Sequence, residues 1–351
     1  MIICHLTSES LRAMALLNQA WCTLVTPTLW AGITIKDNYS YDGEEPRQRV
    51  EALIRSSLRM QSIKRLKIGP ITWRWTPLLL KAMVKVWDNS PRLTHLFLQQ
   101  VDRDHLHDSF RYKNTPKPSG DFTALILTLI ESAPSLHLTH LSGGGCSLTD
   151  ESPLRHFLSL QPSITTLLNI DVHSIQFTAP DPTAFLPNLT SLRVRHMKMV
   201  IPMVPGRPVS EKSTMPITSF GADACWGLDQ HAAAWLTRLQ KALPFLRHLK
   251  VTWPGLSDIL EDPLLQFHFN DLESLHVNTD LAGDPSSQDL STLVGSMSKL
   301  RLVYLLREEE ESCNRCFSRD TASSQHEWRL LDDPSDHDCH WNPWSRAPPL
   351  S

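Results

Sequence analysis

The sequence predicts an α/β fold of stacked strand–helix units, with parallel strands on an inner, concave face and helices outside. Three observations predict it. A short apolar pattern recurs along most of the chain, prolines stand at a fixed offset before it, and stretches of helical spacing fill the intervals. The clearest unit is Leu246-x-x-Leu249-x-Val251, preceded by Pro244 and by a run in which Ala232, Trp235, Leu236, Leu239, Ala242 and Leu243 are apolar. Those six positions share one helical face. The proline ends the helix, because it has no N–H to donate and pushes its predecessor out of the α region. One helix and one strand cannot bury their own apolar faces, so the unit must stack on copies of itself.

The chain has 351 residues, 41% of them hydrophobic and 20% charged, enough for a sizeable core. A formal net charge of -3 argues against a general nucleic-acid or membrane-surface binder. No apolar run approaches the roughly 20 residues of a membrane helix, and the apolar start Met1–Leu6 breaks at Thr7-Ser8-Glu9-Ser10. Seven cysteines without a framework spacing point to reduced thiols. The expectation is a soluble protein of the cytoplasm or nucleus.

In residues 1–35, Leu11, Ala15, Leu16, Leu17, Trp21 and Leu24 form an apolar stripe at helical spacing, introduced by Ser8 or Ser10 as a cap. A helical cap over the open end of a repeat stack accounts for this stripe. The same residues, followed by Pro27, the Leu29-Trp30 pair, Ile33 and Ile35, also resemble the second half of an F-box. The resemblance implies a helical module that holds a Skp-type adaptor and so joins a cullin–RING ubiquitin ligase. It assigns Leu6, Leu11, Leu16, Leu17, Trp21, Leu29 and Trp30 to forming or supporting the adaptor-binding surface. The family motif opens with a Leu-Pro pair and a first helix that this sequence does not contain, so an N-terminally truncated module is expected. Residues 36–62 read as a charged, helix-capable connector around Val50, Leu53, Ile54 and Leu58.

From Ile63 the strand pattern recurs nine times, starting at Ile63, Leu93, Leu138, Ile164, Leu189, Ile217, Leu246, Leu272 and Leu300. Successive starts lie 25 to 30 residues apart except for one interval of 45, which holds a polar insert at 102–121. That spacing matches the leucine-rich repeat. Residues 63–306 are therefore expected to form a leucine-rich-repeat solenoid, whose irregular units resemble those of F-box proteins of basidiomycete-like fungi. Pro91, Pro162, Pro187 and Pro244 sit two residues before a strand start, and Pro216 one before. Helices are predicted over 78–87, 122–130, 154–160, 232–243 and 290–297. Cys146 and Cys225 fall where such repeats favour Asn or Cys, a structural position.

Strand positions 1, 4 and 6 point into the core, and positions 3, 5 and 7 outward onto the concave face. The expected target-binding residues there are Arg65, Lys67, His95, Phe97, Arg193, Arg195, His248, Lys250, His276 and Tyr304. Their basic balance suits an acidic or phosphorylated protein partner.

Catalytic chemistry finds no foothold. Gly143-Gly144-Gly145-Cys146 lacks the ending of a phosphate-binding loop, and neither His-Glu-x-x-His nor Gly-x-Ser-x-Gly occurs. No enzyme and no cofactor is expected. Residues 307–351, with 5 basic and 10 acidic side chains, read as a disordered acidic tail. Cys313-x-x-Cys316 with Cys339-His340 fails as a zinc site, because adjacent ligands close a tetrahedron poorly. The function expected is that of a non-catalytic substrate-recognition subunit of an SCF-type ligase, or else of a repeat scaffold without ligase association.

Overall fold

The protein is described from a computed structural model over residues 7–35, 44–71, 77–100, 123–143, 152–170, 186–196, 216–224, 239–240, 243–251, 271–278, 297–306, 315–319 and 328–330. The chain forms two compact units, the first built on Met1–Asp171 and the second on Val172–Pro348.

The first unit opens with two helices, α1 (Ser8–Leu17) and α2 (Gln19–Leu29). Strand β1 (Gly32–Ile35) follows, then α3 (Glu44–Ile54), α4 (Ser57–Ser62), β2 (Arg65–Ile71), α5 (Pro77–Asp88) and β3 (His95–Gln100). After these come α6 (Thr123–Glu131), a 3-10 turn at Ala133–Ser135, β4 (His140–Ser142), α7 (Ser152–Ser159) and β5 (Thr166–Ile170). Its strands pair in chain order, every pair parallel. Three of the five predicted helices, those over 78–87, 122–130 and 154–160, are thus present as α5, α6 and α7. Nearly all of the other two lies outside the described residues.

The second unit carries β6 (Ser191–His196), β7 (Ser219–Ala224), β8 (His248–Val251), β9 (Ser274–Asn278) and β10 (Leu302–Leu306), again parallel and in chain order. This is the leucine-rich-repeat ladder that the spacing predicts. Position 1 of all nine repeats is buried, from Ile63 to Leu300, each at 1% exposure or less. Position 4 is as deeply buried throughout, from Leu66 to Val303. Each leucine so placed contributes about 1.5–3 kcal/mol.

The prolines do more than end helices. Leu93 N–H donates to the Ser90 carbonyl, Ile164 to Gln161, Leu189 to Leu186 and Leu246 to Leu243. Each proline is thus the second residue of a four-residue turn that aims the chain into its strand, where its fixed φ suits the first central position.

A second ladder runs at position 2. Its carbonyl accepts two consecutive N–H groups from the next repeat, as Lys64 does from Thr94 and His95, and Thr218 from Arg247 and His248. Threonine recurs there, and the hydroxyls of Thr94, Thr139, Thr165 and Thr218 donate to the position-2 carbonyl one repeat earlier. A β-branched residue suits a strand entry, and its hydroxyl adds a rung that a Leu-based reading overlooks.

Three expectations are corrected. The sheet begins one strand before Ile63: β1 pairs with β2, placing Ile33 beside Leu66 and Ile35 beside Ile68. Trp30-x-x-Ile33-x-Ile35 is thus a further unit, hidden by a Trp where Leu is usual, and its residues Gly32–Ile35 belong to the sheet. Residues 36–62 supply two helices of the same stack. Finally, the stretch 307–351 is not wholly a tail. Strands β11 (Arg315–Arg319) and β12 (Trp328–Leu330) turn back antiparallel on β10. Arg319 locks this return by donating to the Met297, Ser298 and Leu300 carbonyls while its guanidinium lies over the Trp328 ring. The acidic count of the segment concealed this return, in which Phe317 stands between Val303 and Leu330.

Candidate interaction surfaces

Two kinds of surface emerge: an apolar one on the N-terminal helices and a polar one on the outer face of each sheet. Helix α1 is capped by Thr7, whose hydroxyl accepts from Ser10 N–H, rather than by Ser8 or Ser10. Asn18 breaks the helix in extended conformation and caps α2 by accepting from Trp21 N–H. The break turns the apolar stripe outward. Leu11 and Val25 are buried and hold the pair, whereas Leu16 is 88% exposed, Leu17 69%, Leu24 52% and Trp21 37%. Leu11 therefore supports the module and presents no surface. Leu29 and Trp30 are half-buried, with the Arg59 guanidinium stacked 4.4 Å from the Trp30 ring centroid. Leu6 lies outside the described residues.

On the first unit, Gly32, Arg65, His95, His140 and Thr166 stand in register, as do Lys67, Phe97 and Ser142. The His95 and His140 rings stack 4.0 Å apart and nearly parallel, with Phe97 6.5 Å from His95. The Thr94 and Thr139 hydroxyls each lie 2.8 Å from the following histidine Nδ1. Burial, then the neighbouring His140 and Arg65, pushes the His95 pKa down to about 4, and burial lowers that of His140. Both rings are neutral near pH 7.

On the second unit, Ser191, Ser219, His248, Ser274 and Leu302 form one row, and Arg193, Gly221, Lys250, His276 and Tyr304 the next. Cys316, which forms no disulfide, extends the latter row antiparallel beside Tyr304. This face is not the open one expected. His276 is 3% exposed, and Ser191, Ser219, His248 and Ser274 are buried as well. Lateral neighbours supply part of the cover: the His276 ring stacks on Tyr304 at 4.2 Å, and His248 Nδ1 lies 2.8 Å from Ser274 Oγ. Burial first, then Lys250, His248 and Arg193, holds the His276 pKa down to about 3. Burial also lowers that of His248. Arg193, Lys250 and Tyr304 are half-buried. Arg195 occupies the next outward position of β6, but its side chain lies outside the described residues.

Ser142, Thr166, Gly221, Leu302 and Cys316 share these rows yet escaped the reading from sequence. Their type gives no signal; only their offset from a neighbouring strand does. Cys146, Cys225 and Cys313 lie outside the described residues, and Gly143 continues the β4–β5 ladder by donating to the Leu168 carbonyl. Among the described residues no group of three His, Cys, Asp or Glu side chains is placed to hold a metal ion. None of their helices is long and apolar enough to cross a membrane.

Neither a family model nor a curated protein matches the sequence. Among solved structures, the leucine-rich repeat-containing protein LegL7 from Legionella pneumophila is similar to this chain. The match has a TM-score of 0.45 and 14% identity, covering 79% of this chain and 83% of that one.

Proposed function

We propose that this chain is the non-catalytic substrate-recognition subunit of an SCF-type (cullin–RING) ubiquitin ligase. In this reading α1 and α2 hold a Skp-type adaptor, which connects to the cullin, and the outer faces of the repeats hold a protein target. One observation carries it. Leu16, Leu17, Trp21 and Leu24 are four of nine large apolar side chains left exposed among the described residues, and they fall within nine positions of one helix pair. A cluster of that kind marks a protein contact far more often than isolated exposed leucines do. The chain supplies binding alone; ubiquitin transfer belongs to other subunits, and no nucleic acid, membrane or cofactor takes part.

A second reading is a repeat scaffold without ligase association, in which the helices only cap the sheet. The pairing of β1 with β2 favours it, since it ties the helices to the repeats as a cap would be tied. Co-purification separates the two. With a Skp-type adaptor co-expressed, the ligase reading expects a stoichiometric complex that the paired change Leu16→Glu and Trp21→Ala abolishes. A chain that stays folded and never retains the adaptor is the scaffold.

A further inference from the structure

We propose that the antiparallel return β11–β12 is an edge guard: it occupies the outer edge of β10, and a second copy of this chain pairs with β10 when the return is released. The inference goes beyond the adaptor and target readings and does not depend on them. It rests on how the parallel ladder of the second unit ends.

Along that ladder each position-2 carbonyl accepts two consecutive N–H groups from the following repeat. Thr218 accepts from Arg247 and His248, Arg247 from Glu273 and Ser274, and Glu273 from Arg301 and Leu302. Arg301 stands last in this series, and its carbonyl accepts from Arg319 N–H at 2.8 Å. The Arg319 guanidinium also donates to the carbonyls of Met297 at 2.8 Å, Ser298 at 3.1 Å and Leu300 at 3.0 Å. In the first unit a following repeat closes such a turn through Gln161, which donates to the Ala133 carbonyl. At the end of the second unit one arginine stands in for that repeat, satisfying carbonyls of the last turn and of the last strand entry. Its guanidinium also lies 5.3 Å from the Trp328 ring centroid, so it ties β12 as well as β11 to the ladder.

The strand beneath this lock is the one that most needs it. Among the described strands, β10 (Leu302-Val303-Tyr304-Leu305-Leu306) alone carries only aliphatic and tyrosine side chains. Such a strand, with N–H and C=O groups unpaired along one side, is a template for another chain. The return replaces it with a poorer template. Strand β12, the last of the sheet among the described residues, is only Trp328-Arg329-Leu330, with Arg329 exposed at its centre. A short edge with an exposed charge resists pairing.

The register of β10 with β11, Val303 opposite Phe317 and Tyr304 opposite Cys316, shows that this edge takes an antiparallel strand. Two β10 strands related by a two-fold axis present that arrangement to each other and satisfy both edges in one closed pair. A head-to-tail partner would bring a parallel strand and leave an open edge at each end. The occupant is therefore a second copy in two-fold contact.

The test uses the full chain. The native protein, Arg319→Ala and the paired change Arg319→Ala with Trp328→Ala are compared by sedimentation equilibrium over a range of concentrations, with amide hydrogen exchange on the same samples. The native protein is expected to sediment as a single chain. Both variants should shift to twice that mass as concentration rises, with β11 losing amide protection and β10 keeping it in the dimer. Arg247→Ala, which removes an exposed arginine at the β8 entry, should remain single. Native-like protection in β7, β8 and β9 verifies folding; where the alanine variants lose it, Arg319→Lys, which keeps the charge without the fork, decides by the same readouts. A folded variant that loses β11 protection and stays single at every concentration overturns the proposal, as does a native protein that already dimerises. Retained β11 protection in the paired variant overturns the lock, and growth beyond two copies overturns the two-fold contact.

Discussion

Gln161 shows what a single buried amide does in this stack. It is 1% exposed, accepts from Leu138 N–H at 3.1 Å and donates to the Ala133 carbonyl at 3.1 Å. Both partners belong to the preceding repeat, so one side chain closes a turn and a strand entry together. Gln161→Leu should lower stability by about 2–4 kcal/mol, because it strands a buried N–H and a buried carbonyl; urea denaturation measures it. Trp87 plays a like part between α5 and α6, its indole N–H donating to the Thr128 hydroxyl at 3.2 Å. By contrast, the exposed Lys299–Asp271 pair adds little, as surface ion pairs do. The histidines make a prediction about pH. His95 and His276 titrate near 4 and 3 when folded, against 6.5 for the unperturbed ring. Between pH 6.5 and those values the unfolded chain therefore binds more protons than the folded one. Stability should be full above pH 6.5 and fall as the pH drops from there towards 4. Replacing both rings by Asn or Gln should flatten the urea midpoint over that range. An unaltered slope would show that these rings are not protected in the folded protein.

At the scale of elements, the strand entry is the most repeated device. A turn with proline second, a position-2 carbonyl taking two N–H groups and a threonine hydroxyl rung all fall within five residues. Pro91→Ala should cost about 0.5–1 kcal/mol, since it frees the unfolded chain without breaking a native hydrogen bond. Thr139→Val should cost about 1 kcal/mol by removing one rung, and should also release His140 Nδ1. The helix pair α1–α2 behaves oppositely to a core element. Leu16→Ser or Leu24→Ser should change the melting temperature by less than about 2 °C, because both side chains are already in water. Leu11→Ala, beneath them, should cost about 2–4 kcal/mol. Thermal melts of the three variants decide whether the outward apolar face serves binding or packing. The sequence made the stripe legible but not its direction, because Asn18 interrupts the helical period within it.

Across the whole molecule, each unit is a ladder whose rungs touch their neighbours, so damage should spread locally. Leu249→Ala in β8 should cost about 2–5 kcal/mol and reduce amide protection most in β7, β8 and β9. Hydrogen exchange that falls evenly over every strand of the second unit would contradict this nearest-neighbour coupling. Most of the ladder was legible in the sequence, from Ile63 to Leu305. An inward residue is apolar whatever lies beside it, and its spacing is fixed by the geometry of one strand. Where a residue type departs from the pattern, as with Trp30 opening the β1 unit, or where charge dominates a segment, as around Phe317 and Trp328, the same geometry was present and unreadable.

The sequence by itself determined the parallel strands, their order within each unit and the residues beneath them, because a repeated apolar spacing leaves one register that buries every copy. Only the tertiary structure decided which outward side chains are exposed. His95 and His276 both stand at outward positions, the third and fifth of their repeats, yet one is half-buried and the other closed off with an unpartnered nitrogen. The reason is physical: exposure on a sheet face is set by side chains one and two strands away, some 25 to 60 residues distant in the chain.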